Sequence, residues 1–449
     1  MQDYANISSL WRRFDPYDSG LERARYTNGS HDERLAMLDE ARREEGLRHL
    51  QRGLALARAN RADEAADALR MAVAANPNLR EAHIALGFHY QRSGLLAKAA
   101  DEFHTVANLE GDFLAYFNLG YVLVELARYE DALDAFRRCL ELQPNDSATH
   151  LEIGYIHFNR GEFKAALDHL QHPLHTYPED WEVHNLLGKC YLGLRQYDLA
   201  LQSFAKALNN AAFPNVQMEL LENINTVVRH REFRNLSTVK DQFYAQEGAV
   251  YLGSAQDDGL QVTELADYHF TYSDVATTLQ RFLALYHSSG WQFTAVVAVD
   301  TLSRPLAMAL SQLLQIPLRP FEDLHEADRA LLAVAVLRED DLLVLISERV
   351  HCSITAFCLG LNLSRHGRMQ PDVIGIATRG ACSVPWESEL RRLRADGVHS
   401  SQINECIDVA MQQITDSVRE TPLDNNLPRQ IRYYTRTHRR LNVAPKGSS

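Results

Sequence analysis

The stretch VHNLLGKCYLGLRQYDLALQSFAKAL, from Val183 to Leu208, decides the fold of the first half of the chain. It has a glycine at 188, an alanine twelve positions later and a phenylalanine four positions after that. This pattern occurs four times before it, with glycines 34, 33, 34 and 34 residues apart. The members are the glycines Gly53, Gly87, Gly120, Gly154 and Gly188, the alanines Ala65, Ala99, Ala132, Ala166 and Ala200, and the large residues Leu69, Phe103, Phe136, Leu170 and Phe204. Such a period predicts stacked units.

The residue types of the pattern suit pairs of antiparallel helices. A glycine on the first helix and an alanine on the second allow the two helices to approach closely. We expect the large residue to fill the space where the next unit packs. Proline at 77, 144 and 178 ends the second helix of three units, because it lacks a donor and clashes with the preceding turn.

These units resemble the tetratricopeptide repeat, a helix–turn–helix of about 34 residues. The resemblance covers five units over residues 45–214, with AHIALGFHYQRSGLLAKAADEF from Ala82 as a clear example. The segment NVQMELLENINTVVRHREF, within residues 215–247, is expected to cap the stack. The resemblance implies a right-handed superhelix whose concave face, lined by the first helix of each unit, holds a peptide or a segment of a partner.

The concave groove is predicted from the residues that follow each glycine and from their neighbours on the same helix face. They are Phe88, Arg92, Phe117, Tyr121, Tyr155, Phe158, Asn159, Asn185 and Lys189. This aromatic set favours an apolar helix or extended peptide, and only Asn185 and Lys189 resemble the residues that grip a C-terminal carboxylate elsewhere in the family. Alternatively, part of the stripe is core, or the chain's own segment with Trp11, Phe14 and Tyr17 fills the groove.

The second half has a different pattern, with short apolar runs and helical stretches in alternation. Strands are predicted at 249–254, 293–300, 331–337, 341–347 and 372–378, and helices at 273–289, 304–315 and 353–367. This succession predicts a doubly wound α/β domain with a mostly parallel sheet over residues 248–420.

Two loops of this half, in AVVAVDTLSRPLAMAL and DLLVLISERVHCSITAFCLG, resemble the pyrophosphate and phosphoribosyl-diphosphate loops of type I phosphoribosyltransferases. The resemblance implies a phosphate-binding site made of Asp300, Ser303, Arg304, Glu348, Ser353 and Thr355, with residues 351–355 at the start of a helix. Ser353 replaces the glycine that lets backbone approach phosphate, so the site is degenerate. Three roles stay open: dimerisation or ligand sensing without catalysis, binding of a nucleotide or sugar phosphate, and phosphoribosyl transfer.

Charge and composition limit the classes of partner, bound metal and location that the sequence allows. The net charge of −13 argues against a surface built to neutralise nucleic acid, although the tail within residues 421–449 has six basic residues and no acid after Leu427. Arginines beside Tyr433 and Tyr434 could contact nucleic acid, or the tail folds back on the acidic body. Six scattered cysteines predict no disulfide framework and no metal site. Residues 1–44, an extension with a helix, show no signal-peptide pattern, and no run could span a membrane, so we expect a cytoplasmic protein.

The sequence therefore predicts a non-enzymatic adaptor that binds a protein or peptide partner through its repeats. Self-association through the α/β domain is left open, and no catalytic residue, metal or cofactor is assigned. The alternative is an enzyme of the phosphoribosyltransferase class, or a regulator that binds a nucleotide or sugar phosphate, with the repeats as a targeting arm. The histidines of the repeats, His83, His150, His157, His172 and His184, are expected to pack on helix faces or line the groove.

Overall fold

The computed structural model describes residues 32–262, 265–338, 341–363, 369–436 and 438–443. The chain divides into two compact units, with the division between Ile224 and Asn225. The N-terminal segment with Trp11, Phe14 and Tyr17 lies outside the described residues, so its predicted place in the groove stays a prediction.

The first unit is built of helix pairs, one pair for each predicted repeat. The helices are α1 (Asp32–Arg58), α2 (Ala62–Ala75), α3 (Arg80–Arg92), α4 (Leu96–Leu109), α5 (Phe113–Glu125), α6 (Tyr129–Leu142), α7 (Ser147–Asn159), α8 (Phe163–Thr176), α9 (Trp181–Gly193) and α10 (Tyr197–Asn210). Neighbouring first helices contact one another, α5 with α7 and α7 with α9, as expected for the inner face of a superhelix.

The repeat glycines are required by the large residue of their own unit. A Cβ atom on Gly120 would lie 2.7 Å from the ring of Phe136, and one on Gly188 would lie 2.6 Å from the ring of Phe204. The expectation that the large residue fills the space toward the next unit is therefore incomplete. It packs directly over the glycine sixteen positions earlier, which explains why the two residue types recur together.

Two helices follow the repeats, and then a parallel sheet. They are α11 (Pro214–Arg231), whose span includes the division between the units, and α12 (Val239–Glu247). The strands are β1 (Val250–Tyr251), β2 (Tyr268–His269), β3 (Ala295–Ala298), β4 (Arg329–Leu337), β5 (Ser353–Asn362), β6 (Val373–Thr378) and β7 (Cys382–Ser383). Five of them form a sheet in the order β1-β6-β5-β4-β3 with every pair parallel, and β2 pairs with β7.

Helices cover both faces of this sheet. The remaining helices are α13 (Tyr272–Ser289), α14 (Arg304–Leu314), α15 (Leu342–Arg349), α16 (Glu387–Ala395), α17 (Ser400–Glu420) and α18 (Leu427–Tyr434), with a 3-10 turn at Phe321–Asp323. Phe357 of β5 faces the core formed with α13, α14 and α17, whereas Cys358 faces the core formed with α12 and α15. Burial on both faces explains the continuous apolar runs.

The secondary structure between residues 341 and 362 differs from the prediction. DLLVLIS, predicted as a strand, supplies the N-cap and first turns of helix α15, and SITAFCLGLN, predicted as a helix, is strand β5. Leu343 and Ile346 are the buried residues of α15, three positions apart on one helix face, while Leu345 is exposed. A short apolar run fits either a buried strand or a buried helix face, and tertiary packing decides between them.

The described part of the basic tail is packed into the second unit. Tyr434 is 2% exposed, and its hydroxyl lies 3.0 Å from the backbone oxygen of Tyr251. The guanidinium of Arg439 pairs with Glu232 at 2.9 Å and lies 4.1 Å from the ring centre of Tyr433. The structure thus places Tyr433, Tyr434 and Arg439, offered above for nucleic acid, in contacts within the protein.

Candidate functional site

The predicted groove residues lie on the first helices of four consecutive repeats. Phe88 and Arg92 are on α3, Phe117 and Tyr121 on α5, Tyr155, Phe158 and Asn159 on α7, and Asn185 and Lys189 on α9. Their exposure differs widely. Phe88, Tyr155, Phe158 and Lys189 are half-buried, Arg92 and Asn159 are exposed, and the other three are buried.

Part of the aromatic stripe belongs to the core of the repeats. Phe88 packs edge-on against Phe103 with ring centres 5.1 Å apart, and Phe117 packs in the same way against Phe136 at 5.7 Å. Both partners are the large residues that cover the repeat glycines. The exposed part of the aromatic stripe is therefore smaller than the sequence suggests, and on α7 it includes part of the surface of Tyr155 and Phe158.

Helix α11 contacts the two polar residues of the last repeat. The side-chain amide of Asn223 donates to Oδ1 of Asn185 at 3.1 Å, and the Lys189 ammonium lies 3.3 Å from Glu219, both partners being on α11. These side chains, which resemble a carboxylate-gripping pair in sequence, are thus engaged within the first unit. The other predicted groove residues lie on α3, α5 and α7.

A buried acid on α7 is a feature that the sequence reasoning missed. Glu152 is 4% exposed, and no hydrogen bond or ion pair to its carboxylate is found among the described residues. Burial, followed by the negative charges of Glu182 and Glu125, raises the pKa of Glu152 to about 8. The sequence signal is an acid two positions before a repeat glycine, inside the apolar run LEIGYIHF.

The neighbours of Glu152 come from the adjacent first helices. Tyr121 of α5 interacts electrostatically with Glu152, Glu125, Glu182 and Tyr155, and its pKa is raised above the usual range, mainly by burial. Glu125 accepts a hydrogen bond of 2.8 Å from the side-chain amide of Gln91, and burial also raises its pKa. The inner face of three consecutive repeats thus brings three carboxyl groups and two tyrosines together.

Three histidines of the repeats make the same contact with a proline. Ring contacts also join His150, His157, His169 and His172. His83, His150 and His184 have equivalent positions, and the Nε2 atom of each lies 2.8–3.1 Å from the backbone oxygen of the proline six residues earlier. His150 also stacks on His172, with ring centres 3.7 Å apart, and its Nδ1 lies 3.0 Å from Nδ1 of His169. Burial, followed by the charges of His150, His157 and His172, lowers the pKa of His169 to about 4.

The structure does not bring the predicted phosphate-site residues together. Asp300, Ser303 and Arg304 follow the carboxyl end of β3, whereas Ser353 and Thr355 lie at the amino end of the parallel strand β5, and Glu348 is near the end of α15. Strands of a parallel sheet have their carboxyl ends at one edge. The two sets are therefore at opposite edges of the sheet, and residues 351–355 do not start a helix.

The residues after β3 have structural partners. The backbone amide of Ser303 donates to Asp300 at 2.7 Å, and the hydroxyl of Ser303, which is 1% exposed, accepts from the amide of Ala335 at 2.9 Å. Arg304 donates to the side chain of Asn404 at 3.1 Å. These contacts fix the turn between β3 and α14 against β4 and α17.

The described ranges contain neither a cluster of metal-ligand side chains nor a membrane-spanning helix. No group of three or more histidine, cysteine, aspartate or glutamate side chains there is arranged to hold a metal ion. No helix among the same residues is both long enough and apolar enough to cross a bilayer.

Comparison with protein families identifies the repeats. Two family models described as tetratricopeptide repeat match residues 113–146 and 151–216. The first unit carries tetratricopeptide repeats. The matched segments span α5 to the start of α11, which includes Tyr121, Glu152 and Tyr155. No curated protein matches the chain.

Three similar solved structures each cover 37–43% of this chain. A crystal structure of MamA protein has 23% identity, covers 37% of this chain and 92% of its own, and gives a TM-score of 0.35. YrrB, described as a TPR protein with an unusual peptide-binding site, has 19% identity, coverages of 43% and 98%, and a TM-score of 0.36. A thermophilic TPR protein of Thermus thermophilus has 23% identity, coverages of 40% and 98%, and a TM-score of 0.33.

Proposed function

We propose that this protein is a non-enzymatic adaptor whose tetratricopeptide repeats bind a peptide segment of a partner on their inner face. The observation that carries the proposal is the partly exposed aromatic surface of Phe88, Tyr155 and Phe158 on first helices of the stack. Aromatic side chains contribute a large contact area at a low cost in conformational entropy, and a groove lined by them suits an extended or helical segment.

The test compares two matched variants by affinity capture. Tyr155→Ala with Phe158→Ala removes aromatic surface from the groove, while Leu142→Ala with Leu199→Ala removes apolar surface from the second helices α6 and α10, where these leucines are 52% and 42% exposed. We expect a partner captured by the unaltered protein to be lost from the groove variant and kept by the control.

Capture is followed by titration of the purified partner, with circular dichroism to confirm that both variants are folded. We expect at least a tenfold loss of affinity for the groove variant, because central aromatic residues commonly dominate interfaces. Equal affinity of the folded groove variant and the unaltered protein would contradict the proposal.

For the second unit we propose a role in self-association or ligand sensing, without phosphoribosyl transfer. The placement of Arg304 and Ser353 at opposite edges of the sheet argues against a shared phosphate site. Sedimentation velocity across a range of concentrations measures self-association directly. Calorimetric titration with phosphoribosyl diphosphate and magnesium tests the alternative, and saturable binding lost in Arg304→Ala would restore it.

A further inference from the structure

The groove contains a carboxylate whose environment is unfavourable in the free protein. Glu152 is 4% exposed on α7, in the middle of the inner face, and the described residues supply it with no hydrogen-bond donor and no cation. A buried ionisable group without a partner is costly, because neither water nor protein solvates its charge. Its isosteric amide or an apolar residue would suit a purely structural position better.

The surroundings of Glu152 add negative charge instead of neutralising it. Glu125 on α5 and Glu182 on α9 interact with it repulsively. In the described part of the chain no lysine or arginine forms an ion pair with Glu125 or Glu152, and the group that donates to Glu125 is the neutral amide of Gln91. One acid from each of three consecutive first helices thus faces the same region.

Two aromatic rings complete this region. Tyr121 and Tyr155 occupy equivalent positions, one residue after the repeat glycines of α5 and α7, and Tyr121 interacts with all three acids. Tyrosine faces attract cations, and a guanidinium can donate to several carboxylates at once because its five N–H groups are spread over a plane. The tyrosine rings can contact the aliphatic part of a long basic side chain, and the acids can pair with its charged end.

We propose that the cluster of Glu125, Glu152, Glu182, Tyr121 and Tyr155 receives an arginine or lysine side chain, presented between apolar residues of the partner segment. This inference rests on the proposed function and names the chemistry of the partner. Charge complementarity selects a basic residue, and the apolar surface of Phe158 and Phe88 selects its neighbours. The acid pattern is opposite to the basic pattern that would grip a terminal carboxylate.

The experiment uses the full chain and fluorescent peptide libraries. Each library has one fixed central residue, arginine, lysine, citrulline or glutamate, and three flanking positions on either side drawn from leucine, isoleucine, phenylalanine, valine, alanine and serine. Fluorescence anisotropy should show the arginine and lysine libraries binding at least tenfold tighter than the citrulline library, with the glutamate library weakest.

Two glutamate-to-glutamine variants test whether the preference for a basic residue depends on Glu152. Glu152→Gln should reduce the preference for arginine over citrulline to below threefold, because the amide keeps the shape and removes the charge. Glu141→Gln, on the exposed end of α6 where Glu141 is 61% exposed, should leave the preference unchanged. The preference should also increase from pH 6 to pH 9, as Glu152 loses its proton beside Glu125, Glu182 and Tyr121.

Each outcome decides between the inference and the proposed function. If all four libraries bind equally and Tyr155→Ala with Phe158→Ala abolishes binding, the groove function stands and the basic-residue inference fails. No binding of any library also overturns the inference, while capture of a partner tests the groove separately. If Arg12→Glu with Arg13→Glu in the full chain tightens binding of the arginine library tenfold, the chain's own segment is the occupant, which overturns the assignment to a partner.

Discussion

Arg281 of α13 donates through Nη2 to Oδ2 of Asp424 at 2.7 Å, from a position where its side chain is 1% exposed. The same guanidinium donates to the backbone oxygens of Leu252, Ser254 and Asp257 at 2.8–2.9 Å. It therefore connects the end of β1, helix α13 and the segment before α18.

Replacing this arginine should strongly destabilise the second unit. Arg281→Met removes the guanidinium that donates to Asp424 and to three backbone oxygens, and the loss of one partner of a buried pair costs about 3–5 kcal/mol. Urea unfolding followed by circular dichroism measures the free energy. The control Arg419→Met breaks a pair with Asp416 in which both side chains are exposed, and should change stability by less than about 0.5 kcal/mol.

The repeat glycines should differ in their tolerance of alanine. Gly188→Ala places a Cβ 2.6 Å from the ring of Phe204, and the resulting overpacking should cost about 1–3 kcal/mol. Gly154→Ala meets the flexible side chain of Leu170 at 3.2 Å, and helix propensity favours alanine by about 1 kcal/mol. Thermal unfolding should show a lower midpoint for Gly188→Ala and little change for Gly154→Ala; the reverse order would contradict the packing argument.

His169 should make the repeats sensitive to acid. Its pKa is lowered to about 4 in the folded protein from an ordinary value of 6.5, so the unfolded chain binds its proton first. The contribution of this group to stability is lost as the pH falls from about 6.5 toward 4. Urea midpoints at pH 7.5 and pH 5 should converge in His169→Gln, whereas His104→Gln, exposed on α4, should keep the full pH dependence.

Glu152 should produce the opposite pH dependence. Its pKa of about 8 in the folded protein is above the ordinary value of 4.5, so the stability associated with its protonated form is lost as the pH rises through this interval. We expect the difference in free energy of unfolding between Glu152→Gln and the unaltered protein to grow by about 3 kcal/mol from pH 6 to pH 9. A constant difference in urea unfolding would show that Glu152 is not protonated in the folded state.

The repeats could be predicted from sequence because their information is redundant. Gly120 and Phe136 are sixteen positions apart in a pattern that occurs five times, so local errors do not change the period. The segment 341–362 has no such redundancy. The sequence analysis predicts a strand for the first apolar run and a helix for the second, and the structure has the reverse. Ile354, Thr355 and Phe357 in the second run are residue types that favour strands.

The candidate site was predictable only in part. The residues that follow the repeat glycines lie on the first helices, as predicted. Their positions in the sequence do not show which of these side chains are buried by residues of other helices. The contact of Asn223 with Asn185 and the interaction of Glu125 with Glu152 join residues from different helices. Such proximity depends on the stacking of repeats, which a linear pattern of residue types does not specify.

If the repeats bind a partner segment as proposed, the contacts of α11 with Asn185 and Lys189 limit the length of that segment. A partner segment that crosses α3, α5 and α7 and reaches Glu182 at the start of α9 passes three to four helix axes about 10 Å apart, which gives a span of about 20–30 Å. An extended chain covers about 3.3 Å per residue, so the recognised motif should be about six to nine residues long. A short linear motif in an otherwise unrelated protein would therefore suffice for recognition.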